Sequence, residues 1–177
     1  MDYISLIGFM GCGKSTVGRL LAESLPGYGL IDLDTFIETK QGRSIPEIFN
    51  EYGEAAFRRM ELEALEGIFK DSSRGRSVLS LGGGTVTTEA CGRLVRENSV
   101  CFYLRATTET LLANLEGDSA GRPMLKSEGS LRDRIESLMA TRSAQYIAAA
   151  HHIIDIDGLT FGQTAARIKE ILENTFI

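Results

Sequence analysis

Tryptophan is absent from the 177 residues, and proline (three), cysteine (three) and histidine (two) are scarce. The cysteines, Cys12, Cys91 and Cys101, are odd in number and form no close pair. That excludes a disulfide framework and a Cys-x-x-Cys metal site. The histidines stand side by side at His151 and His152. Neighbours on a strand point to opposite faces, so they make a poor metal site and read as structural. No apolar run approaches the roughly 18 residues that a membrane helix needs. Positive charge is short too. Nineteen Lys and Arg against 24 Asp and Glu leave a formal charge of -5, which argues against a partner such as nucleic acid or anionic lipid. A small anionic ligand, served by a few arginines, stays open. The first residues, Met1-Asp2-Tyr3-Ile4, lack the basic region of a signal peptide, so the expected location is the cytoplasm. What remains is an ordinary globular balance, 43% hydrophobic and 24% charged, in a chain of the length of one domain spanning 1–177.

Short apolar runs at 3–7, 29–33, 77–81, 100–104 and 152–156 read as strands. Amphipathic stretches between them read as helices at 15–25, 34–40, 45–52, 54–70, 88–97, 107–115, 130–150 and 160–174. Strands separated by helices need crossover connections, which gives an α/β class: a mostly parallel five-stranded sheet with helices on both faces. The run Val100-Cys101-Phe102-Tyr103-Leu104 is continuous, as a doubly covered parallel strand should be. The polar stretch 116–129 exceeds the usual loop length of such folds and is expected to be a functional lid.

Gly8-Phe9-Met10-Gly11-Cys12-Gly13-Lys14-Ser15 fits the phosphate-loop pattern G-x-x-x-x-G-K-[ST], with a β-run before it and an amphipathic helix after it. Glycines let successive N–H groups converge on one phosphate, and the helix that follows adds its positive end. Gly11, Cys12, Gly13, Lys14, Ser15 and Thr16 are therefore the expected ATP-binding residues. Lys14 would bridge the terminal phosphates and the Ser15 hydroxyl would ligate Mg²⁺. The Asn-Lys-x-Asp segment of a guanine reader is missing, and Asp155-Ile156-Asp157-Gly158, at the far end of the chain, suits a polar turn. A small kinase fits better than a switch GTPase.

The second strand ends in Asp32-Leu33-Asp34. Alternation on an extended segment puts both carboxylates on one side, at the sheet edge where α/β proteins bind ligands. Asp32 suits holding hydrated Mg²⁺ through water, and Asp34 suits accepting a bond from a substrate hydroxyl. Capping of the next helix by Asp34 is the competing structural role.

Further on stand Gly42-Arg43-Ser44-Ile45-Pro46-Glu47-Ile48-Phe49, Gly53-Glu54-x-x-Phe57-Arg58-x-x-Glu61, Leu81-Gly82-Gly83-Gly84, Arg122-Pro123 and Arg142-x-x-x-Tyr146. With the phosphate loop and the Asp-x-Asp, in this order and spacing nearly end to end, the chain resembles the shikimate kinase family. The resemblance implies a phosphate-loop kinase fold, a substrate lobe at about 34–61 and a lid at about 116–129. It implies transfer of the ATP γ-phosphate to the 3-hydroxyl of shikimate, with Mg²⁺, by a monomer.

By motif position Arg58 and Arg142 become the partners of the shikimate carboxylate, a planar group that guanidinium matches bidentately. Glu61, three residues on along the same helical face, becomes the group that orients Arg58. Gly82, Gly83 and Gly84 allow close approach of the ring. Asp34 takes the hydroxyls, including the attacking one, and Phe49 and Phe57 flank the ring or the core. Lid Arg122 reaches the β- and γ-phosphates. Asp34, Lys14 and Arg122 are the catalytic set. One departure stands out: where many members carry an adenine-stacking arginine, this chain has Asn114, which puts that clamp in doubt. Two alternatives stay open: a gluconate or nucleoside monophosphate kinase, and a non-catalytic nucleotide-binding module.

Overall fold

The computed structural model describes residues 2–115 and 130–175. The expected lid, 116–129, and with it Arg122, lies outside the described residues. Five strands, β1 (Tyr3–Ile7), β2 (Tyr28–Asp32), β3 (Arg76–Ser80), β4 (Val100–Arg105) and β5 (His152–Asp155), form one sheet in the order β2-β3-β1-β4-β5. Every pairing is parallel, as the alternation of strand and helix requires. The helices are α1 (Lys14–Ser24), α2 (Leu33–Gln41), α3 (Ile45–Lys70), α4 (Glu89–Asn98), α5 (Thr108–Leu115), α6 (Leu131–Ala149) and α7 (Phe161–Thr175).

Strand side chains alternate between two cores. Tyr3, Ile7, Leu79, Leu81, Cys101 and Tyr103 pack toward residues of α2, α3, α4 and α6. Ile4, Leu6, Val78, Phe102 and Leu104 pack toward α1, α5 and α7. The period of two thus makes a three-layer α/β/α sandwich of the phosphate-loop kinase type. Cys91 and Cys101 are fully buried fillers, and burial pushes the Cys91 thiol up to about 12. His151 is structural: its Nδ1 accepts from the Cys101 N–H at 3.1 Å. The Asp155–Gly158 turn is likewise structural. Asp155 takes two bonds from Arg105, at 2.5 and 2.8 Å, and Asp157 accepts from the N–H and hydroxyl of Thr107 ahead of α5.

Two boundaries carry weight for the site. Helix α3 is broken at Gly53, whose φ of 78° and ψ of 171° are non-helical, so the two helices expected from the sequence meet there at a kink. The Asp-x-Asp needs a correction. Strand β2 ends at Asp32 and Leu33 already belongs to α2, so the two carboxylates do not share a strand face. Asp32, not Asp34, is the helix cap, its Oδ1 accepting from the Thr35 N–H at 3.2 Å. Asp34 stands in the first turn of α2.

Candidate active site

A cleft of about 700 Å³ opens at the C-terminal edge of the sheet, with the phosphate loop along one side and α2, α3 and the glycine turn after β3 along the other. This is where open α/β sheets bind ligands, because the strand ends there release backbone and side chains to the loops.

The loop between β1 and α1 holds Gly8, Gly11 and Gly13 at φ 145°, 84° and 84°. Gly13 is the N-cap of α1 and brings no side chain to cap it, so the first N–H groups of the helix stay open to an anion. A Cβ at Gly13 would also lie 2.4 Å from the Phe161 ring, so no other residue fits. Lys14 is buried and folds over its own loop, its Nζ donating to Gly8 O at 2.9 Å and Phe9 O at 3.0 Å. Cys12 sits beneath the loop, fully buried, with its N–H directed to Phe9 O at 3.3 Å. The burial leaves no exposed thiol for oxidation. Ser15 donates from Oγ to Asp32 Oδ2 at 2.7 Å and lies 3.1 Å from the Ser80 hydroxyl. Thr16 lines the cleft beside it.

Across the cleft, Glu61 is wholly buried on α3. Its Oε2 accepts from Arg58 Nη1 at 2.6 Å and its Oε1 from the Thr85 hydroxyl at 2.6 Å. Arg58 also donates to Glu54 Oε1 at 2.9 Å. Burial pushes the Glu61 carboxyl up, and the charge of Arg58 with the Thr85 hydrogen bond pulls it back. From α6, Arg142, 7% exposed, reaches Gly83 O at 3.4 Å, and the Tyr146 hydroxyl, one turn further on, donates to the same carbonyl. Arg142 also lies over the Phe9 ring, 5.9 Å from its centroid. Phe49 and Phe57 are in ring contact at 4.8 Å, and both line the cleft.

The glycine turn earns its composition by close approach. A Cβ at Gly84 would stand 2.3 Å from Arg58 Nη2, and one at Gly82 would stand 3.0 Å from Asp34 Oδ1. The sequence suggested that these glycines admit a ligand ring. In the folded chain they first admit the protein's own arginine and aspartate.

Asp34 is half-buried, but its Oδ1 is enclosed and has no hydrogen-bond partner. Burial, then the charges of Asp32 and Glu61, push its carboxyl up to about 6, with Lys14 pulling the other way. A buried polar atom without a partner is costly and marks a group waiting for a donor.

Residues 10–173 match the family model described as shikimate kinase. The chain belongs to the shikimate kinase family. It is 42% identical over 176 residues to the shikimate kinase of Chlorobium limicola, an overlap that covers 96% of this chain and 85% of that protein. Among solved structures it is similar to the Acinetobacter baumannii shikimate kinase in complex with shikimate, at 31% identity and a TM-score of 0.91, covering 100% of this chain and 96% of that one. The Aquifex aeolicus shikimate kinase matches at 32% identity and a TM-score of 0.81, over 98% and 97% of the two chains. A tunicamycin resistance protein of Deinococcus radiodurans, 18% identical with a TM-score of 0.71, shares the fold alone.

Against the shikimate kinase pattern, the fold gathers the expected residues into one cleft: Lys14, Ser15, Asp32, Asp34, Arg58, Gly82, Gly83, Gly84 and Arg142 all line it. Asn114 lines it too, but its amide Nδ2 is committed to Gly11 O at 2.8 Å. Three residues escaped the sequence reading. Ser80, Thr85 and Phe161 reach the site region from the end of β3, the glycine turn and the start of α7. Position at the C-terminal end of a predicted strand would have flagged Ser80; no local signal marks the other two.

Proposed function

We propose that this cleft transfers the γ-phosphoryl group of ATP to the 3-hydroxyl of shikimate, giving 3-phosphoshikimate and ADP. The observation that carries the reading is Asp34 Oδ1, an unpartnered buried carboxylate oxygen in a cleft that also holds a phosphate loop and two arginines. The Acinetobacter baumannii relative was solved with shikimate bound, which supports the choice of acceptor.

Arg58 and Arg142 hold the ring acid, as charge-assisted forks do for a planar carboxylate. Asp34 accepts from the attacking hydroxyl and takes its proton; a carboxyl near 6 is ionised at pH 7.5 yet more basic than an ordinary aspartate. Lys14 leaves its loop carbonyls for the β- and γ-phosphate oxygens, and the N–H groups of 11 and 13–16 cradle the chain of phosphates. Arg122 adds positive charge from the lid segment. Ser15 and Asp32 form a hydroxyl–carboxylate pair, and no group of three or more His, Cys, Asp or Glu among the described residues forms a metal cage. That donor set fits Mg²⁺, a hard cation that keeps most of its waters and arrives with phosphate oxygens. When bound, Mg²⁺ neutralises charge on the phosphates. No helix among the described residues is long and apolar enough to cross a membrane, which suits a cytoplasmic enzyme. The chain is read as a monomer, as the resemblance to the family implies.

A coupled ADP-release assay over shikimate, quinate, gluconate and the nucleoside monophosphates tests the proposal. Shikimate should be preferred by at least about tenfold in kcat/KM, a floor well below the roughly 10⁴–10⁵ that unpaired polar groups can enforce. Preference for gluconate or a monophosphate overturns it, and ATP binding without turnover of any acceptor favours a binding module.

A further inference from the structure

We propose that Thr85 is a positioning residue for acid recognition: by holding Oε1 of Glu61, its hydroxyl locks the Arg58 guanidinium to the glycine turn. The inference rests on the reading of Arg58 as a carboxylate partner.

Glu61 and Thr85 are both wholly buried. A buried carboxylate needs donors on both oxygens. Arg58 serves Oε2 and Thr85 serves Oε1, each at 2.6 Å. Thr85 is also the residue whose N–H closes the turn onto Gly82 O at 3.1 Å. The same turn brings Gly84 so close to Arg58 that a Cβ would stand 2.3 Å from Nη2. One residue therefore ties together the backbone against which Arg58 packs and the carboxylate that aims it. Without the hydroxyl, Oε1 has no other donor among the described hydrogen bonds of Glu61. Its ionised form loses support, its bond to Arg58 weakens, and Glu54, whose side chain is 53% exposed, competes for the guanidinium. The guanidinium then follows Glu54 outward, away from the turn.

Thr85→Val removes the hydroxyl at constant shape. A lost hydrogen bond to a buried charge corresponds to an effect of about tenfold or more. The expected result is a rise of about tenfold in the KM for shikimate, with kcat and the KM for ATP within about threefold of the parent, the pattern of lost uniform binding. Thr85→Ser should return the shikimate KM to within about threefold. In a double-mutant cycle, Thr85→Val should add almost nothing on a Glu61→Ala background, which removes the acceptor of the one bond through which the two act. A shikimate KM unmoved by Thr85→Val overturns the proposal. So does a parallel loss of ATP affinity, a serine variant as damaged as the valine, or full additivity with Glu61→Ala. If Thr85→Val fails to fold, Thr85→Ala is read against the same outcomes. Failure of the parent chain to phosphorylate shikimate would instead sink the assignment of substrate, which the same assay reveals first.

Discussion

At the end of the cleft proposed to bind the acid, Glu61, Thr85 and Arg142 are buried side chains and Arg58 is nearly so, each bonded to another or to the glycine turn. At the nucleotide end the cleft is lined by Met10, Gly11 and Gly13 of the loop, by the buried Lys14, and by Ser15, Thr16, Asn114 and Phe161, of which Ser15, Asn114 and Phe161 are exposed. The difference follows from what each end must recognise. Backbone N–H groups bind any phosphate, and they need only the right φ and ψ. A ring acid has to be told from other small acids, which takes cations and acceptors fixed in direction before the ligand arrives. Fixing them requires burial, and burial requires that each charge be paired, hence Glu61 under Arg58. Damage at one end should therefore leave the other largely intact, with Asp34 as the hinge between them.

The largest effect is expected at that hinge. Asp34→Asn removes the proton acceptor and should lower kcat by about 10²–10⁴ while ATP affinity, measured by calorimetry, stays within a few-fold. Equal loss of both would break the division of the cleft. In the parent chain, kcat/KM should fall on the acid side with an apparent pKa near the value to which burial raises Asp34, about 6, as the acceptor becomes protonated.

The same raised carboxyl carries a stability cost with a definite sign. In the unfolded chain Asp34 titrates near 3.8, and in the folded one at about 6. Between those values the folded state binds more protons, so stability falls as pH rises through the window and the loss is complete above it. Asp34→Asn should thus be more stable than the parent at pH 7.5, by up to about 3 kcal/mol. The advantage should vanish below about pH 4. Urea melts of both proteins at the two pH values check this; an asparagine variant less stable at pH 7.5 would contradict the burial of an unpartnered charge.

Arg142→Ala sharpens the comparison from the acid end. Loss of a charge-assisted contact should raise the KM for shikimate by about 10–100-fold and leave the KM for ATP within about threefold. A comparable rise for ATP would mean that Arg142, which lies over Phe9 of the phosphate loop, also supports that loop.

Much of this was legible in the residues themselves. The phosphate loop, the break at Gly53 and the pairing of Glu61 with Arg58 follow from local spacing, because helical period and glycine conformation act over a few residues. The Asp-x-Asp was placed rightly in the cleft for the wrong reason. Strand alternation does not apply once the helix begins at Leu33, and the competition between strand and cap at Asp32 is decided by the Thr35 N–H, a contact the sequence does not announce. Thr85 was out of reach for a different reason. Its partner Glu61 is 24 residues away, and only the tertiary fold brings a turn after β3 onto α3. The triple glycine was visible, yet its first occupant, the Arg58 guanidinium, was not.

The smallest effect belongs to the nucleotide base, and it tests whether that end is as unselective as its materials suggest. From Lys14 the cleft continues past Gly11 and Gly13 to Asn114 and Phe161, so a nucleotide whose terminal phosphates met Lys14 would carry its base there. Asn114 already spends its Nδ2 on Gly11 O, and Phe161, 39% exposed, packs its ring on Gly13. Among the described residues this end offers the base an aromatic face and no charged side chain. Stacking on a ring is tolerant of which base it meets. GTP should therefore support turnover within about tenfold of ATP in kcat/KM, and Phe161→Ala should weaken both nucleotides together, by roughly 5–30-fold, at the lower part of the range for loss of a stacking partner. A preference for ATP above about 100-fold, or a Phe161→Ala variant that loses ATP and spares GTP, would show a base-reading contact. The contrast between a directed acid end and a permissive nucleotide end would then fail.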